Sequence, residues 1–224
     1  MRGVVAIKDA ILRHKKLAAF VGLIVVLLIA AFVVIALLQA HKTKTTVAKN
    51  PVATQYKKEL PALEKTVKEN PKSSDAHKNY AIALYATGDL KKAQSEYEQV
   101  VKLNGKDAVA YNNLGNVYRD LGQYQDASDA YNKAISLNPS NMNTYANLAN
   151  VQLYMENDAN GAIATYKKGL KALPNNAQLE FLLGLAYEKK GDTANAKATY
   201  EHILSYDSSN QSAQAELTAL QNNK

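Results

Sequence analysis

The residues best suited to contact a ligand are asparagines that recur at a fixed interval. Asn79, Asn113 and Asn147 are 34 residues apart, and Asn116 and Asn150 follow two of them after three residues. Residues three apart lie on one side of an α-helix, and asparagine is a mediocre helix former, so its repeated use needs a reason. Each side-chain amide carries two donors and an acceptor oxygen. That chemistry suits hydrogen bonding to a polypeptide backbone.

Catalytic chemistry is not expected. His14 and His41 flank an apolar segment, His77 takes the place of a packing aromatic, and His202 is expected to be exposed on a helix. None has carboxylates at ligand spacing, and the chain has no glycine-rich phosphate loop, no nucleophile with a partner and no cysteine. The sequence therefore predicts no enzyme activity, no catalytic residue, no metal site and no cofactor.

The formal charge of +7 is unevenly distributed. Lys and Arg are concentrated in 1–16 and 41–72, whereas acidic residues slightly outnumber basic ones from Ser73 onward. A nucleic-acid-binding domain concentrates positive charge on its folded surface. No nucleic-acid partner is therefore predicted.

An internal repeat organises the chain from Ser74 to Asn210. The four units are 74–107, 108–141, 142–176 and 177–210, and the third carries one extra residue, which we expect in its turn around 156–161. Alanine recurs in the second half of each unit, at Ala93, Ala127, Ala162 and Ala196. Tyrosine follows four residues later, at Tyr97, Tyr131, Tyr166 and Tyr200.

Each unit is predicted to form two helices. The first half shows helical periodicity, as at Tyr111, Leu114 and Tyr118. Gly88, Gly122 and Gly191 are expected to end the first helices. The alanine and tyrosine share one face of the second helix, where the small residue allows close packing.

The stretch YNNLGNVYRDLGQYQDASDAYNKAISLNPSN, from Tyr111 to Asn141, resembles a unit of the tetratricopeptide repeat (TPR) family. The resemblance implies an all-α fold, a TPR-type α-solenoid of four helix-turn-helix repeats with a concave face. Because solenoid ends need cover, a half-repeat helix over 55–72 and a C-terminal capping helix over 211–224 are predicted. Pro61 is expected in the first turn of the half-repeat helix.

In this family the first helices line the concave groove, so the resemblance implies a peptide-binding groove that contains the five asparagines. Further candidates for this groove are Lys78, Tyr85, Arg119 and Tyr154. The alternative is that the asparagines stay solvated and contact no ligand. A chaperone-tail clamp is not expected, because Ile82 and Asn143 stand where that clamp needs asparagine and lysine.

The fourth unit departs from the asparagine pattern. Leu182 replaces the asparagine, and Phe181 and Leu185 flank it. These apolar residues would either form a binding hot spot or be covered by the capping helix, and coverage is the preferred interpretation.

Residues 17–38 read LAAFVGLIVVLLIAAFVVIALL and contain no charged or polar side chain. As a helix they would extend roughly 33 Å, enough for a hydrocarbon core of about 30 Å. We expect a single N-terminal transmembrane helix in contact with the lipid bilayer. The alternative is a cleaved signal peptide, whose apolar region is about 7–15 residues long.

The flanking charges predict the orientation. The basic N-terminal tail, 1–16, carries five Lys or Arg, which places it in the cytoplasm under the positive-inside rule. Residues 39–54 are expected to be a flexible tether. The localisation predicted is a single-pass protein of the cell membrane, with the repeats on the extracytoplasmic side.

The combined expectation is a membrane-anchored adaptor that binds other proteins through its TPR groove. This architecture is similar to that of bacterial accessory proteins of secretion and envelope assembly, an analogy of architecture alone. The alternative is a self-assembling structural scaffold at the membrane, a homo-oligomer.

Overall fold

A computed structural model describes residues 51–222 of the chain. These residues form ten α-helices, one π-helical turn and no strand. The elements in chain order are α1 Pro51–Glu69, α2 Ser74–Thr87, α3 Leu90–Leu103, α4 Ala108–Asp120, α5 Tyr124–Leu137, α6 Met142–Asn150, the π turn Val151–Met155, α7 Ala159–Ala172, α8 Ala177–Lys190, α9 Thr193–Tyr206 and α10 Gln211–Asn222.

The helices pack as consecutive pairs, which are α2 with α3, α4 with α5, α6 with α7, and α8 with α9. Short turns between the members of a pair make them antiparallel neighbours. Each pair also contacts the next one along the chain. Residues 74–206 therefore form a row of stacked hairpins, as the repeat predicts.

Polar residues fix the helix starts. Eight helices begin after a residue whose side chain accepts a hydrogen bond from a backbone N–H of the first turn: Ser73, Asp89, Asp107, Asn141, Asp158, Asn176, Asp192 and Asn210. A cap of this kind contributes about 1 kcal/mol. Gln123 precedes α5 without such a bond.

Glycine ends the first helices of the first and fourth units. Gly88 and Gly191 adopt the left-handed conformation, with φ of 85° and 81°. Their backbone N–H groups donate back to the last turns of α2 and α8. Only glycine takes this conformation without a steric cost. The predicted role of these glycines is confirmed.

The repeated alanines and tyrosines form the core between the paired helices. The four alanines are fully buried and the four tyrosines have at most 1% of their surface exposed. A Cβ placed on Gly115 would lie 2.6 Å from Cε1 of Tyr131, so the ring lies directly against the α4 backbone. The small Gly115 thus leaves room for the Tyr131 ring between the paired helices.

The extra residue of the third unit lies upstream of the predicted place. The backbone N–H of Glu156 donates to the carbonyl of Val151 at 3.0 Å, five residues back, so the last turn of the first helix is widened into the π turn. Asn157 then takes a φ of 55°, the conformation that glycine has in the other units. The expectation that 156–161 holds the extra residue is wrong, because a wide helical turn can absorb one residue before the loop begins.

Helices lie at both ends of the stack. α1 begins at Pro51, earlier than the predicted 55, and Pro61 lies within the helix instead of in its first turn. Leu60, Leu63 and Val67 pack against the core of the first unit. At the other end, α10 buries Ala213 and Leu217.

No helix within residues 51–222 combines the length and the apolar character that a bilayer crossing requires. The predicted tail 1–16, the predicted transmembrane helix 17–38 and most of the predicted tether 39–54 lie outside the described residues.

Candidate peptide-binding groove on the first helices

Asn116 and Asn147 are the centre of a hydrogen-bonded network that joins the first helices of the second and third units. Oδ1 of Asn116 accepts from the Tyr131 hydroxyl at 2.8 Å and from Nδ2 of Asn147 at 3.2 Å. Nδ2 of Asn147 also donates to Oδ1 of Asn112 at 3.2 Å. We call Asn112, Asn113, Asn116 and Asn147 the asparagine network.

The same device recurs within the third unit. The Tyr166 hydroxyl donates to Oδ1 of Asn150 at 3.1 Å. Burial raises the pKa of both Tyr131 and Tyr166, because their phenolate forms would lack water. Each buried hydroxyl needs an acceptor, and an asparagine carbonyl on the paired helix supplies it.

Asn113 is half-buried, and its Oδ1 accepts from Nδ2 of Asn112 at 3.4 Å. Burial raises the pKa of Tyr97 to about 12, and the hydrogen-bonding side chain of Asn113 acts against that rise. Asn79 is exposed and makes no side-chain hydrogen bond with any other described residue. The five predicted asparagines therefore differ in their surroundings.

The network leaves complementary groups free. Oδ1 of Asn116 has both lone pairs occupied, while its Nδ2, like that of Asn150, donates to no acceptor within residues 51–222. In Asn147 the free group is the oxygen. Its Nδ2 donates two hydrogen bonds, whereas its Oδ1 accepts none from residues 51–222. A peptide backbone presents one acceptor and one donor per residue, which matches free donors on Asn116 and a free acceptor on Asn147.

Lys78 is committed to other side chains. Its Nζ lies 3.1 Å from Oδ2 of Asp107 and 3.2 Å from Oδ1 of Asp75, and hydrogen bonds to these two carboxylates raise the pKa of Lys78. Burial raises the pKa of Asp107, but the backbone N–H of Ala110 and the side chain of Lys78 outweigh it and hold that pKa below its usual range. Lys78 therefore links α2 to Asp107, the residue that caps the start of α4.

Tyr85 and Arg119 meet at a single carboxylate. The Tyr85 hydroxyl donates to Oδ2 of Asp120 at 2.6 Å, and Nε of Arg119 donates to Oδ1 at 2.8 Å. Burial, followed by the bond to Asp120, raises the pKa of Tyr85 to about 12. The structure thus brings these two predicted site residues together through a third residue that the sequence analysis did not select.

Tyr154 lies apart from the network. It is part of the π turn, and the residue is 56% exposed. The described contacts do not join Tyr154 to any of the predicted asparagines.

The fourth unit is built differently. Phe181 and Leu182 are half-buried against the core, and the Phe181 and Tyr200 ring centroids are 5.7 Å apart. Glu180 is buried and accepts from the Tyr206 hydroxyl at 2.8 Å and from His202. His202 is largely exposed, as predicted, yet its contact with Glu180 was not foreseen.

Asn112 is the residue of the network that the sequence analysis missed. It follows neither the 34-residue interval nor the three-residue spacing of the other asparagines. Its position four residues before Asn116, on the same side of α4, is the signal that could have identified it. Within residues 51–222 no group of three metal-ligating side chains is present.

Comparisons with known proteins identify the repeat. Sequence profiles described as tetratricopeptide repeat match residues 54–116, 108–141 and 177–210, together more than half of the chain. The first match extends over most of α1, so the family pattern includes the half-repeat helix. Curated protein sequences contain no match to the chain.

Solved structures with the same fold include TPR proteins. A crystal structure of MamA is 25% identical, covers 68% of this chain and 89% of its own, and has a TM-score of 0.61. YrrB, titled a TPR protein with an unusual peptide-binding site, is 22% identical, with coverages of 71% and 81% and a TM-score of 0.55. PilF of Pseudomonas aeruginosa is 21% identical, with coverages of 68% and 69% and a TM-score of 0.56. Repeat period, stacked hairpins and profile matches agree, and the chain belongs to the tetratricopeptide repeat family.

Proposed function

We propose that this protein is an interaction module that binds an extended polypeptide segment along the first helices of its repeats. The observation that carries the proposal is the pairing of free Nδ2 donors on Asn116 with a free Oδ1 acceptor on Asn147. Both amides are held in place by their other hydrogen bonds, so they meet a ligand already oriented. Preorganisation of this kind lowers the entropy lost on binding.

The segment would be recognised mainly through its backbone. Amide side chains read the carbonyl and N–H groups that every extended peptide carries, so the network alone gives little sequence specificity. YrrB, which shares the fold, is described as having a peptide-binding site. This supports a peptide as the class of ligand proposed for the present chain. Catalysis has no part in the proposal.

We also propose that residues 17–38 anchor the module to a membrane, with the repeats on the extracytoplasmic side. The support is the uninterrupted apolar run of this segment and the cluster of cations before it. Extraction of native membranes with alkaline carbonate should leave the full chain in the pellet and release a variant that lacks 17–38. Protease added to intact cells should degrade the repeats; protection would reverse the proposed orientation.

Site-specific photo-crosslinking tests the groove. A photoreactive phenylalanine at Asn79, which is exposed in phase with Asn113 and Asn147, should yield adducts with a different protein in the native host. The same residue at Lys168, exposed on α7, serves as the control and should not. The double variant Asn113→Ala/Asn147→Ala should lose most of the adduct while keeping its helicity, since alanine favours helix.

Two results would count against the groove. An unchanged adduct in the double variant would remove the role of the asparagines. A series of adducts that contain only further copies of this chain would favour the alternative, a self-assembling scaffold.

A further inference from the structure

A cleft of about 310 Å³ lies between α3, α4 and α5. Its apolar walls include Val101, Tyr111, Leu114 and Tyr118. The three residues from α4 follow helical spacing and share one face of that helix, whereas Asn112 and Asn116 lie on another. The cleft is therefore separate from the asparagine network.

Three carboxylates border this cleft. They are Glu98 of α3 and Asp126 and Asp129 of α5. Oε1 of Glu98 accepts from the Tyr118 hydroxyl at 3.0 Å and from Nε2 of Gln94 at 2.9 Å, and Oδ1 of Asp129 accepts from Gln125 at 3.3 Å. In the part of the chain that the structure describes, none of the three carboxylates forms an ion pair. We call the cleft with these carboxylates the acidic cleft.

We propose that the acidic cleft binds an arginine side chain of a partner polypeptide. The walls offer apolar surface for the three methylenes of an arginine stem, and long cationic side chains bury such stems while keeping the charged end polar. The three carboxylates border the cleft beside the position expected for the guanidinium. Each carboxylate can accept hydrogen bonds from the guanidinium N–H groups.

The tyrosines favour arginine over lysine. A planar guanidinium stacks on an aromatic face, while an ammonium is a compact and strongly hydrated charge. Tyr111 and Tyr118 supply two rings beside the carboxylates. Burial, followed by the bond to Glu98, raises the pKa of Tyr118 to about 12, so its ring stays uncharged even in mildly alkaline solution. This inference does not depend on the proposed groove.

Fluorescence anisotropy with the full-length chain in mild detergent tests the proposal. The probe is a fluorescein-labelled, end-capped Gly-Ala-Arg-Ala-Gly peptide, and the matched probes carry lysine or citrulline in place of arginine. Empty micelles correct for binding to detergent. The arginine probe should bind saturably, the lysine probe more weakly, and the uncharged citrulline probe least.

The variant Glu98→Gln/Asp126→Asn/Asp129→Asn should weaken binding of the arginine probe about tenfold. The control variant Glu59→Gln/Glu69→Gln/Glu201→Gln makes the same change in net charge on α1 and α9 and should bind like the wild type. Circular dichroism should give both variants the wild-type helicity, because all of the changes preserve side-chain size.

The proposal is overturned by equal binding to the two triple variants, by equal binding of the lysine or citrulline probe, or by the absence of saturation below about 1 mM peptide. The Asn113→Ala/Asn147→Ala variant should keep its affinity for the probe. A loss of affinity in this variant would show that the arginine binds in the groove, and would reject the acidic cleft as its site.

Discussion

The Tyr131 hydroxyl donates a 2.8 Å hydrogen bond to Oδ1 of Asn116, which ties the second helix of a repeat to the surface of its first. The tyrosine ring is fully buried, while the asparagine is half-buried. One bond therefore links the core to a group that can face a ligand. The stability of the fold and the orientation of the free Nδ2 donors of Asn116 therefore depend on the same hydrogen bond.

Removing this acceptor should destabilise the fold. In Asn116→Ala the Tyr131 hydroxyl loses its acceptor, which should lower the free energy of unfolding by about 1–3 kcal/mol. The measurement is urea denaturation followed by circular dichroism. Adding Tyr131→Phe should recover part of the loss, because no hydroxyl then needs a partner. Equal stability of Asn116→Ala and wild type would contradict the assigned bond.

A larger side chain at Ala127 should reveal a tight helix contact. Ala127 has no exposed surface, so Ala127→Leu should destabilise the protein by roughly 1–3 kcal/mol. Ala164 is exposed on α7, and Ala164→Leu serves as the control with the same change in size. Thermal melts should separate the two variants; coincident melting curves would mean that Ala127 does not lie at a tight contact.

Acid should remove the contribution of Asp107. Its folded pKa lies below the usual value, so it stabilises the fold above the unfolded pKa of about 3.9, and this contribution disappears as the pH falls through the folded pKa. Asp107→Asn keeps an oxygen for the helix cap but removes the ion pair with Lys78. We expect it to lower stability at pH 7 by about 0.5–1 kcal/mol.

The difference between Asp107→Asn and wild type should shrink to nothing as the pH is lowered through the depressed folded pKa of Asp107. Urea denaturation at a series of pH values checks this. A difference that stays constant over the whole acid range would show that the charge of Asp107 does not contribute.

Alkali should destabilise the core through its tyrosines. Burial raises the pKa of Tyr97 to about 12, above the value of about 10 for an exposed tyrosine. The unfolded chain therefore loses this proton first, and stability falls as the pH rises from about 10 towards 12, by at most about 1.4 kcal/mol per pH unit for one group. Tyr97→Phe should flatten this dependence, and an unchanged slope would exclude Tyr97 as a source.

A β-branched side chain at Asn157, which has the left-handed conformation, should destabilise the fold. Asn157 has a φ of 55°, which costs most residues about 1–2 kcal/mol. Asn157→Val should therefore lower the melting temperature, while Asn157→Gly should leave it almost unchanged. Asn160, exposed on α7, provides the control substitution Asn160→Val. Similar effects of the two valine variants would remove the conformational explanation.

Periodicity was enough to predict the repeat core. Ala93 and Tyr97 recur in every unit because each pair of helices must solve the same packing problem, so their burial follows from phase alone. The glycines at 88 and 191 were predictable for a related reason, since the end of a helix constrains the backbone more than the side chain.

The polar contacts were not predictable in the same way. The bond between Asn116 and Tyr131 joins residues 15 apart in sequence, and only the packing of α4 on α5 brings them together. The sequence marked Asn116 as unusual but could not distinguish a ligand contact from an acceptor for a buried hydroxyl. The structure shows the second role and leaves the Nδ2 donors available for the first.

The π turn also escaped prediction, because an added residue preserves the phase of the next unit whether it lies in the helix or in the loop. An insertion in the middle of a helix would rotate every later side chain of that helix by about 100°. At the last turn only Val151 and Leu153 are still buried, so few core positions can be displaced. The third unit therefore accommodates one extra residue at its π turn. A unit of 35 residues can take the place of one of 34 while the neighbouring units keep their packing.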